Sequence, residues 1–362
     1  MLAAKKAITL SLVLLFCLMG PGSAFGQDGF PGRKAERRAV GAVSLYFEND
    51  IFYNTDQYYT NAVKLRFISP SLASLAENDI APDFFDGLMD AVQRIRQKEA
   101  MQYNVSFGFG QSLYTPRDTQ ATTLQPDDRP YAAHLYAFLG MHVKEPDLMD
   151  SYELSLGLVG PGALGRQTQN TVHRIKRVDT AKGWEHQLRN EPALSLSWTR
   201  NYRLVPDKAD RGWAWNILPY HSLTLGNALT QAAVGTELRF GYNVPRTFGT
   251  SQIKPGSSVD APSDSPWASG AGDQDWGFYF FAGAEGRAVA RNIFLDGNTW
   301  KTSHSVKKEP FVGELNAGLA LVVNGITVSY TQVYLTKEFK EQPTKKQVYG
   351  SITVTIPFDV DF

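Results

Sequence analysis

The sequence of 362 residues contains a single cysteine, Cys17, and has a formal net charge of zero. One cysteine cannot form an intramolecular disulfide, so the fold does not rely on disulfides. A balanced charge gives no reason to expect a nucleic-acid partner, which would need a basic patch or stripe. Beyond the first two dozen residues, no apolar run is long enough for a transmembrane helix.

The first residues have the features of a secretory signal peptide. Lys5-Lys6 forms a short positive region, an apolar run follows at 8–19, and small residues occupy 20–24. This order of positive, apolar and small residues is typical of a cleaved leader and is too short for a convincing membrane span. We therefore expect residues 1–26 to be a signal peptide and residues 27–362 to form one outer-membrane β-barrel domain.

Apolar and polar residues alternate with a period of two through the rest of the chain. The pattern is clear at 104–110, at 234–242 and at 311–321. A period of two indicates β-strands with one apolar and one polar face. Several segments run to about 10 to 13 residues, which suits a tilted membrane strand and is long for a soluble one. The predicted fold class is all-β, an antiparallel transmembrane barrel with the apolar face toward lipid.

We predict twelve strands, at 41–50, 58–69, 101–112, 131–142, 150–160, 191–203, 212–227, 231–243, 276–289, 310–323, 325–335 and 345–358. An even number of strands places both termini on the periplasmic side. Phe362 is in phase with Ile356 and Phe358, as in the C-terminal assembly signal of outer-membrane barrels. Charged residues on the polar face, such as Glu237 and Arg239, are expected to pair with one another inside a narrow lumen.

Two long connections interrupt the strands on the predicted periplasmic side. Residues 71–99 have helical spacing in their second half and predict a small helical insertion, either a periplasmic helix or a plug. Residues 244–275 are rich in Gly, Pro, Ser and Asp and predict a flexible loop. The connections on the opposite, outer side are 51–57, 113–130, 161–190, 228–230, 290–309 and 336–344.

Several motifs at the predicted outer end resemble those of a known family, the outer-membrane lipid A 3′-O-deacylases and their uncharacterised relatives. The motifs are Phe47-Glu48-Asn49-Asp50, Tyr59-Thr60-Asn61, Tyr114-Thr115-Pro116, Val159-Gly160-Pro161-Gly162, the run from Gln167 to Ile175, and Trp184 with Gln187-Leu188. The resemblance spans most of the chain after the leader. It implies a twelve-stranded barrel that removes the 3′-linked acyloxyacyl chain from lipid A at the outer surface.

The resemblance also implies site residues. The family's asparagine–aspartate pair falls on Asn49 and Asp50, its threonine on Thr60, and its glutamine and histidine on Gln169 and His173. An acidic residue six positions after the histidine would be Asp179. The family has a lysine after the Tyr-Thr-Pro motif that is absent here, so that either Arg117 or Arg129 replaces it or the role is missing. Arginine and lysine are not interchangeable, so this gap bears on turnover and on the identity of the substrate.

Elementary chemistry agrees with those roles. Ester hydrolysis needs a base for water and positive charge near the developing oxyanion. A histidine such as His173 can accept a proton near neutral pH. Asp50 is a hard oxygen ligand suited to Ca²⁺, the one cofactor implied, which would polarise the ester carbonyl. Asn49 and Thr60 could donate hydrogen bonds or complete the metal shell. Gln169 lies on the same face as His173 if their connection is helical.

The predicted function is thus a calcium-dependent carboxylic ester hydrolase that acts on lipid A of lipopolysaccharide. The alternatives are a non-catalytic channel and a relative that has lost activity. A twelve-stranded barrel has only a small lumen, and inward charges would fill it, which weakens the channel hypothesis. The expected location is the outer membrane of a Gram-negative bacterium, with the site facing outside. The sequence does not give the oligomeric state, and we assume a monomer.

Overall fold

A computed structural model of the chain describes residues 39–50, 58–71, 102–204, 212–250, 252–254, 276–343 and 346–360. Twelve strands dominate this part of the chain. They are β1 (Ala39–Asn49), β2 (Tyr58–Ile68), β3 (Gln102–Thr115), β4 (Ala132–Lys144), β5 (Leu148–Val159), β6 (Glu191–Tyr202), β7 (Trp213–Gly226), β8 (Leu229–Tyr242), β9 (Trp276–Asn292), β10 (Phe311–Val323), β11 (Ile326–Thr336) and β12 (Lys346–Val360).

The strands form one closed barrel in which every strand pairs antiparallel with its neighbours in sequence. β1 and β12 close the barrel, with a register that runs from Ala39 opposite Val360 to Asn49 opposite Gly350. All twelve predicted strands are confirmed. The largest differences are at the ends of β3, which reaches Thr115 instead of 112, and of β9, which reaches Asn292 instead of 289.

Side chains are distributed as in a membrane barrel, with apolar groups outside and polar groups inside. Phe107 and Phe109 of β3 are each 56 % exposed, whereas Ser106 and Ser112 on the opposite face of the same strand are buried. The alternating period therefore matches the predicted lipid-facing and lumen-facing sides. A group of aromatic rings, including Trp213, surrounds the start of β7 and β9 and the end of β8, where a girdle residue would meet the membrane interface.

Helices are few in the described residues. They are α1 (Gly165–Lys176) and the short α2 (Ile293–Asp296), with 3₁₀ turns at Pro161–Ala163 and Gly183–His186. None of the described helices has the length and apolarity needed to cross a membrane. The predicted helical insertion at 71–99 lies outside the described residues apart from Ser71, and so do the predicted signal peptide and Phe362.

Charged pairs fill the lumen. Lys64 Nζ lies 3.2 Å from Glu153 Oε2, Arg239 Nε lies 2.6 Å from Glu237 Oε1, and Arg287 Nε lies 3.2 Å from Glu285 Oε1. The expected pairing of inward charges is thereby confirmed. The lumen retains a cavity of about 250 Å³, which these charged residues and several tyrosines line.

The structure describes part of the connection after β8, which was predicted as a flexible loop over 244–275. Its described part, 244–250 and 252–254, packs against luminal side chains. Thr250 N donates to Glu237 Oε1 at 3.0 Å, and Lys254 Nζ lies 2.7 Å from Glu314 Oε1. Thr250 and Lys254, which are not among the Gly, Pro, Ser and Asp residues that predicted a flexible loop, complement the luminal carboxylates. This segment narrows the lumen still further.

Candidate active site

The five predicted site residues all belong to one end of the barrel. Odd-numbered strands finish and even-numbered strands begin at this end, which we call the upper rim. Asn49 is the last residue of β1, Asp50 follows it, and Thr60 is near the start of β2, while α1 in the β5–β6 connection carries Gln169 and His173. All five side chains are buried. Strand parity alone predicted this common location.

A β-bulge sets the direction of Thr60. The pairing of β2 with β3 shifts between Tyr59 and Asn61, so that Thr60 is the extra residue. A bulge re-aims the side chains beside it. Tyr59 donates its hydroxyl to the luminal Glu48 Oε2 at 2.8 Å, whereas the hydroxyl of Thr60 lies 2.7 Å from that of Thr115 on β3. Because of the bulge, the Tyr59 side chain lies in the lumen, whereas the neighbouring Thr60 side chain contacts β3.

The turn that leads into α1 depends on special backbone conformations. Gly160 has a φ of 107°, which disfavours any residue with a Cβ. Leu164 at the N-cap has a φ of 62°. A Cβ on Gly165 would lie 2.5 Å from Cβ of Ala133 and 2.5 Å from the Trp184 ring. The glycines of this connection therefore let α1 approach the barrel wall closely.

One face of α1 holds two of the five predicted site side chains. Gly165, Gln169 and His173 are its buried residues, spaced by four along the helix. This arrangement confirms that Gln169 and His173 share a face. Gln169 is 3 % exposed and His173 is 8 % exposed, so both side chains lie in the contact between α1 and the residues that it covers.

Hydrogen bonds fix both side chains. Trp184 Nε1 donates to Gln169 Oε1 at 2.7 Å. His173 Nδ1 lies 2.6 Å from the main-chain oxygen of Asp179. A carbonyl oxygen has no hydrogen to give, so His173 Nδ1 is the donor and carries the proton. In a neutral imidazole, Nε2 is then the nitrogen that can accept a proton.

The contact with Asp179 differs from the role that its sequence position suggested. The motif comparison implied an acidic side chain six residues after His173, but it is the main-chain oxygen of Asp179 that contacts the imidazole. The helix ends at Lys176, and the C-cap residue Arg177, with a φ of 55°, turns the chain back. Asn170 holds the returning chain, donating to Ala181 O at 3.3 Å and accepting from Ala181 N at 3.0 Å. Any residue at 179 could supply this carbonyl.

The segment that contains α1, residues 161–178 (the α1 segment), lies on the outward side of the barrel wall. Leu113 and Ala133 alternate in phase with the lipid-facing residues of β3 and β4, yet both are buried in one cluster with Trp184. Gln111, in the same outward series, donates Nε2 to Ala163 O at 2.6 Å. Thr60 contacts Thr115, the next outward position on β3 after Leu113. The outward face of β3 therefore links the β2 part of the site to α1.

The arginines that could replace the absent lysine have different surroundings. Arg129 is fully buried, its Nη1 lies 3.0 Å from Glu338 Oε2, and its guanidinium lies over the Tyr114 ring at 4.8 Å. Arg117 is exposed, and its main-chain N–H donates to Asp128 Oδ2 at 2.8 Å. Arg129 is thus engaged in an ion pair, which leaves Arg117 as the accessible guanidinium of the two.

Asp128 organises the β3–β4 connection. Its carboxylate accepts the main-chain N–H of Arg117 and of Arg129, and its own carbonyl lies 2.7 Å from His304 Nε2. Burial raises the pKa of the Asp128 carboxyl above its usual value, although the two N–H groups act in the opposite direction. These hydrogen bonds hold the β3–β4 connection in a fixed conformation.

The side chains around Asp50 are the candidate ligands for a metal. Among the described residues, no group of three or more His, Cys, Asp or Glu side chains is arranged to hold a metal ion. The predicted residues Asn49, Asp50 and Thr60 offer only oxygen ligands, and one of them carries charge. Ca²⁺ accepts carboxylate, amide, carbonyl and water oxygens, so this chemistry fits Ca²⁺, with Asp50 as the charged ligand.

Comparison with known families gives a match over nearly the whole chain. The model of the family described as "Outer membrane protein LpxR" matches residues 10–358. The chain belongs to the LpxR family of outer membrane proteins. An outer-membrane location follows from membership of this family together with the closed twelve-stranded barrel.

A solved structure of the LpxR family has the same barrel fold. The LpxR structure from Salmonella typhimurium superposes with a TM-score of 0.66 at 20 % identity, covering 88 % of this chain and 99 % of that one. The β-domain of the Bordetella autotransporter BrkA gives a TM-score of 0.42 at 10 % identity, covering 89 % and 99 %. No match was found among curated proteins. The Salmonella structure supports the barrel fold at this identity.

Sequence reasoning missed three residues that build the site. Trp184 was noted as part of a motif but without its contact to Gln169. Gln111 anchors the segment before α1, and its polar side chain in an otherwise apolar outward series was a usable signal. Asn170 lies in the motif run from Gln167 to Ile175, but its contacts with Ala181 were not predicted.

Proposed function

We propose that the chain is a lipid A 3′-O-deacylase, a carboxylic ester hydrolase that removes the 3′-linked acyloxyacyl chain at the outer surface. The observation that carries the proposal is the buried face of α1, which holds Gln169 and His173 against the outer wall of the barrel. Membership of the LpxR family supports it. The site is on the lipid side of the wall, where the acyl ester of a leaflet lipid would come within reach.

His173 is the general base in this proposal. Its Nδ1 donates to Asp179 O, which orients the ring and makes Nε2 the nitrogen that acts as the base. Nε2 removes the proton from water as the water oxygen attacks the ester carbonyl carbon. The tetrahedral intermediate then collapses, the bond from the acyl carbon to the sugar 3′-oxygen breaks, and the imidazolium returns the proton to that oxygen. The products are a free acid and a sugar hydroxyl.

Gln169 positions the reacting groups. Trp184 Nε1 donates to Gln169 Oε1 and so fixes the orientation of the amide group, whose nitrogen in this proposal donates to water or to the carbonyl oxygen. Asn49 and Thr60 are further hydrogen-bond donors at the same rim. Donors held in place before the reaction stabilise a developing oxyanion at little reorganisation cost.

Calcium fits the oxygen donors described above. Asp50 would supply the charged ligand, with Asn49 or Thr60 and main-chain or water oxygens completing the shell. When bound, Ca²⁺ supplies positive charge that polarises an ester carbonyl. Removal of the metal with EDTA is expected to abolish hydrolysis, and added Ca²⁺ to restore it. Full activity in EDTA would contradict the metal requirement.

A solute channel is the competing interpretation of a barrel, and the lumen argues against it. Ion pairs cross the interior, and Lys254 in the connection after β8 binds Glu285 and Glu314 there. Planar-bilayer recordings therefore should show no steady solute-permeable conductance. Steady conductance together with intact lipid A would favour the channel instead.

Mass spectrometry of lipid A from expressing cells tests the proposed reaction. Wild-type protein should convert lipid A to species that lack the 3′-linked acyloxyacyl chain, and His173→Ala should leave the lipid intact. His186→Ala is the matched control, since His186 lies in the same connection and also contacts a main-chain oxygen, that of Thr122 at 3.0 Å. Unchanged lipid A in cells with correctly inserted wild-type protein would refute the proposal.

A further inference from the structure

The α1 segment, residues 161–178, covers part of the lipid-facing surface of the barrel. Gly162 lies over the outward-facing Leu158 of β5, so closely that a Cβ would be 2.5 Å from its Cδ2. Further along the same outward series, Leu156 and Leu154 are exposed. Ala133 of β4 lies beneath Gly165. The next outward-facing residue of β4, Leu135, is exposed. The α1 segment therefore borders the apolar surface that lipid covers.

The α1 segment exposes apolar side chains of its own. Ile175 is 76 % exposed, and Leu164 and Val178 are each 48 % exposed. Three large apolar side chains near one short helix are costly in water and are typical of an interaction surface. Because the α1 segment borders the lipid-facing wall at Gly162 and Gly165, the acyl region of the leaflet is the apolar phase within reach.

Positive charge accompanies these apolar residues. Between 164 and 182 the charged residues are Arg166, Arg174, Lys176, Arg177, Asp179 and Lys182, five cations and one anion, for a local charge of +4. Within the described part of the chain, no ion pair involves Arg166, Arg174 or Arg177. Arginine with large apolar residues is the composition of helices that lie in a membrane interface and bind anionic lipid.

We propose that the α1 segment is an interfacial membrane element that binds anionic lipid. Leu164, Ile175 and Val178 enter the acyl region, and the guanidinium groups of the neighbouring arginines bind the phosphate groups of lipid headgroups. Arginine suits this role because its planar donors match phosphate oxygens. The proposal goes beyond ester hydrolysis and does not depend on it, since it concerns how the leaflet contacts the outer wall.

Fluorescence quenching in nanodiscs tests the apolar contact. The full barrel, in a Cys17→Ser background, carries a bimane label at Ile175→Cys, and the phosphatidylcholine–phosphatidylglycerol bilayer contains acyl-chain nitroxides. Quenching should approach that of the lipid-facing control Leu156→Cys and exceed that of Thr302→Cys, an exposed residue in the β9–β10 connection, several-fold. Quenching no greater than at Thr302→Cys would overturn the insertion. Val178→Cys repeats the test if Ile175→Cys fails to fold.

Energy transfer tests the phosphate contact in the same nanodiscs. Transfer from the label at Val178→Cys to acyl-labelled phosphatidylglycerol should exceed transfer to equally labelled phosphatidylcholine. The excess should disappear in the Arg166→Gln/Arg174→Gln/Arg177→Gln variant and diminish at high salt. An equal excess in the variant would overturn the arginine contact. Inorganic phosphate at matched ionic strength should leave the excess unchanged, and its loss would show that free phosphate is the ligand. Neither readout uses hydrolysis, so either can fail while the esterase proposal stands.

Discussion

Trp184→Phe isolates the hydrogen bond that holds Gln169. Trp184 is fully buried and packs against Tyr131 with ring centroids 5.0 Å apart. Phenylalanine keeps most of this packing but removes the Nε1 donor, which leaves Gln169 Oε1 without the partner at 2.7 Å. An unsatisfied buried acceptor costs about 1 to 3 kcal/mol. The smaller ring adds a cavity cost in the same direction.

The expected consequence is local opening of α1. A loss of about 1 to 3 kcal/mol raises the open population roughly 5- to 150-fold. Hydrogen exchange followed by mass spectrometry should show faster exchange in α1, whereas the strands keep wild-type rates because their ladders do not involve Trp184. Lipid A conversion should fall in parallel, since Gln169 loses its orientation.

Trp300→Phe is the matched control, because Trp300 is 65 % exposed in the β9–β10 connection and its replacement should leave exchange in α1 unchanged. The reasoning is refuted if Trp184→Phe exchanges in α1 at the wild-type rate while the protein remains folded. It is also refuted if the exposed control accelerates exchange in α1 equally.

Three further substitutions follow from the packing. Gly165→Val should displace α1 from Ala133 at a cost of about 1 to 3 kcal/mol, detected as faster proteolysis of the β5–β6 connection, and wild-type resistance would contradict the close approach. Lys254→Met should destabilise the barrel by up to about 3 to 5 kcal/mol, because Glu285 loses a buried partner, and an unchanged temperature of gel-monitored unfolding would argue against that ion pair. Thr60→Val should lower lipid A conversion while the barrel remains folded, and full conversion would remove Thr60 from the site.

The strands could be predicted because the membrane imposes one simple rule on them. Side chains such as Phe107 and Phe109 face lipid while Ser106 faces the lumen, so the alternation is continuous and visible in the sequence. Even the bulge at Thr60 left the strand boundaries readable. The alternation is strict because one side of the barrel wall faces lipid and the other faces a polar lumen.

The helix that carries the site could not be located from periodicity. Its buried face consists of Gly165, Gln169 and His173, which lack the apolar side chains on which helical patterns rest. Family resemblance found the residues, but their contacts with Trp184 and the carbonyl of Asp179 depend on the returning chain. A main-chain contact leaves no trace in side-chain identity.

The luminal segment shows the same limitation. Gly, Pro, Ser and Asp residues in 244–275 predicted a flexible loop. In the part of this segment that the structure describes, Thr250 and Lys254 bind carboxylates inside the barrel. Composition reports the polarity of a segment, and both water and a charged lumen satisfy that polarity. Only the three-dimensional positions of Glu237 and Glu285 distinguish the two environments.

The most direct measurement uses purified wild-type protein and a defined 3′-acylated lipid A, with the products weighed by mass spectrometry. The proposed chemistry predicts one free acyloxyacyl acid and a lipid A that has lost only the 3′-linked chain, with no such products from His173→Ala. An intact substrate after incubation with folded wild-type protein and Ca²⁺, or loss of a chain from another position, would contradict it.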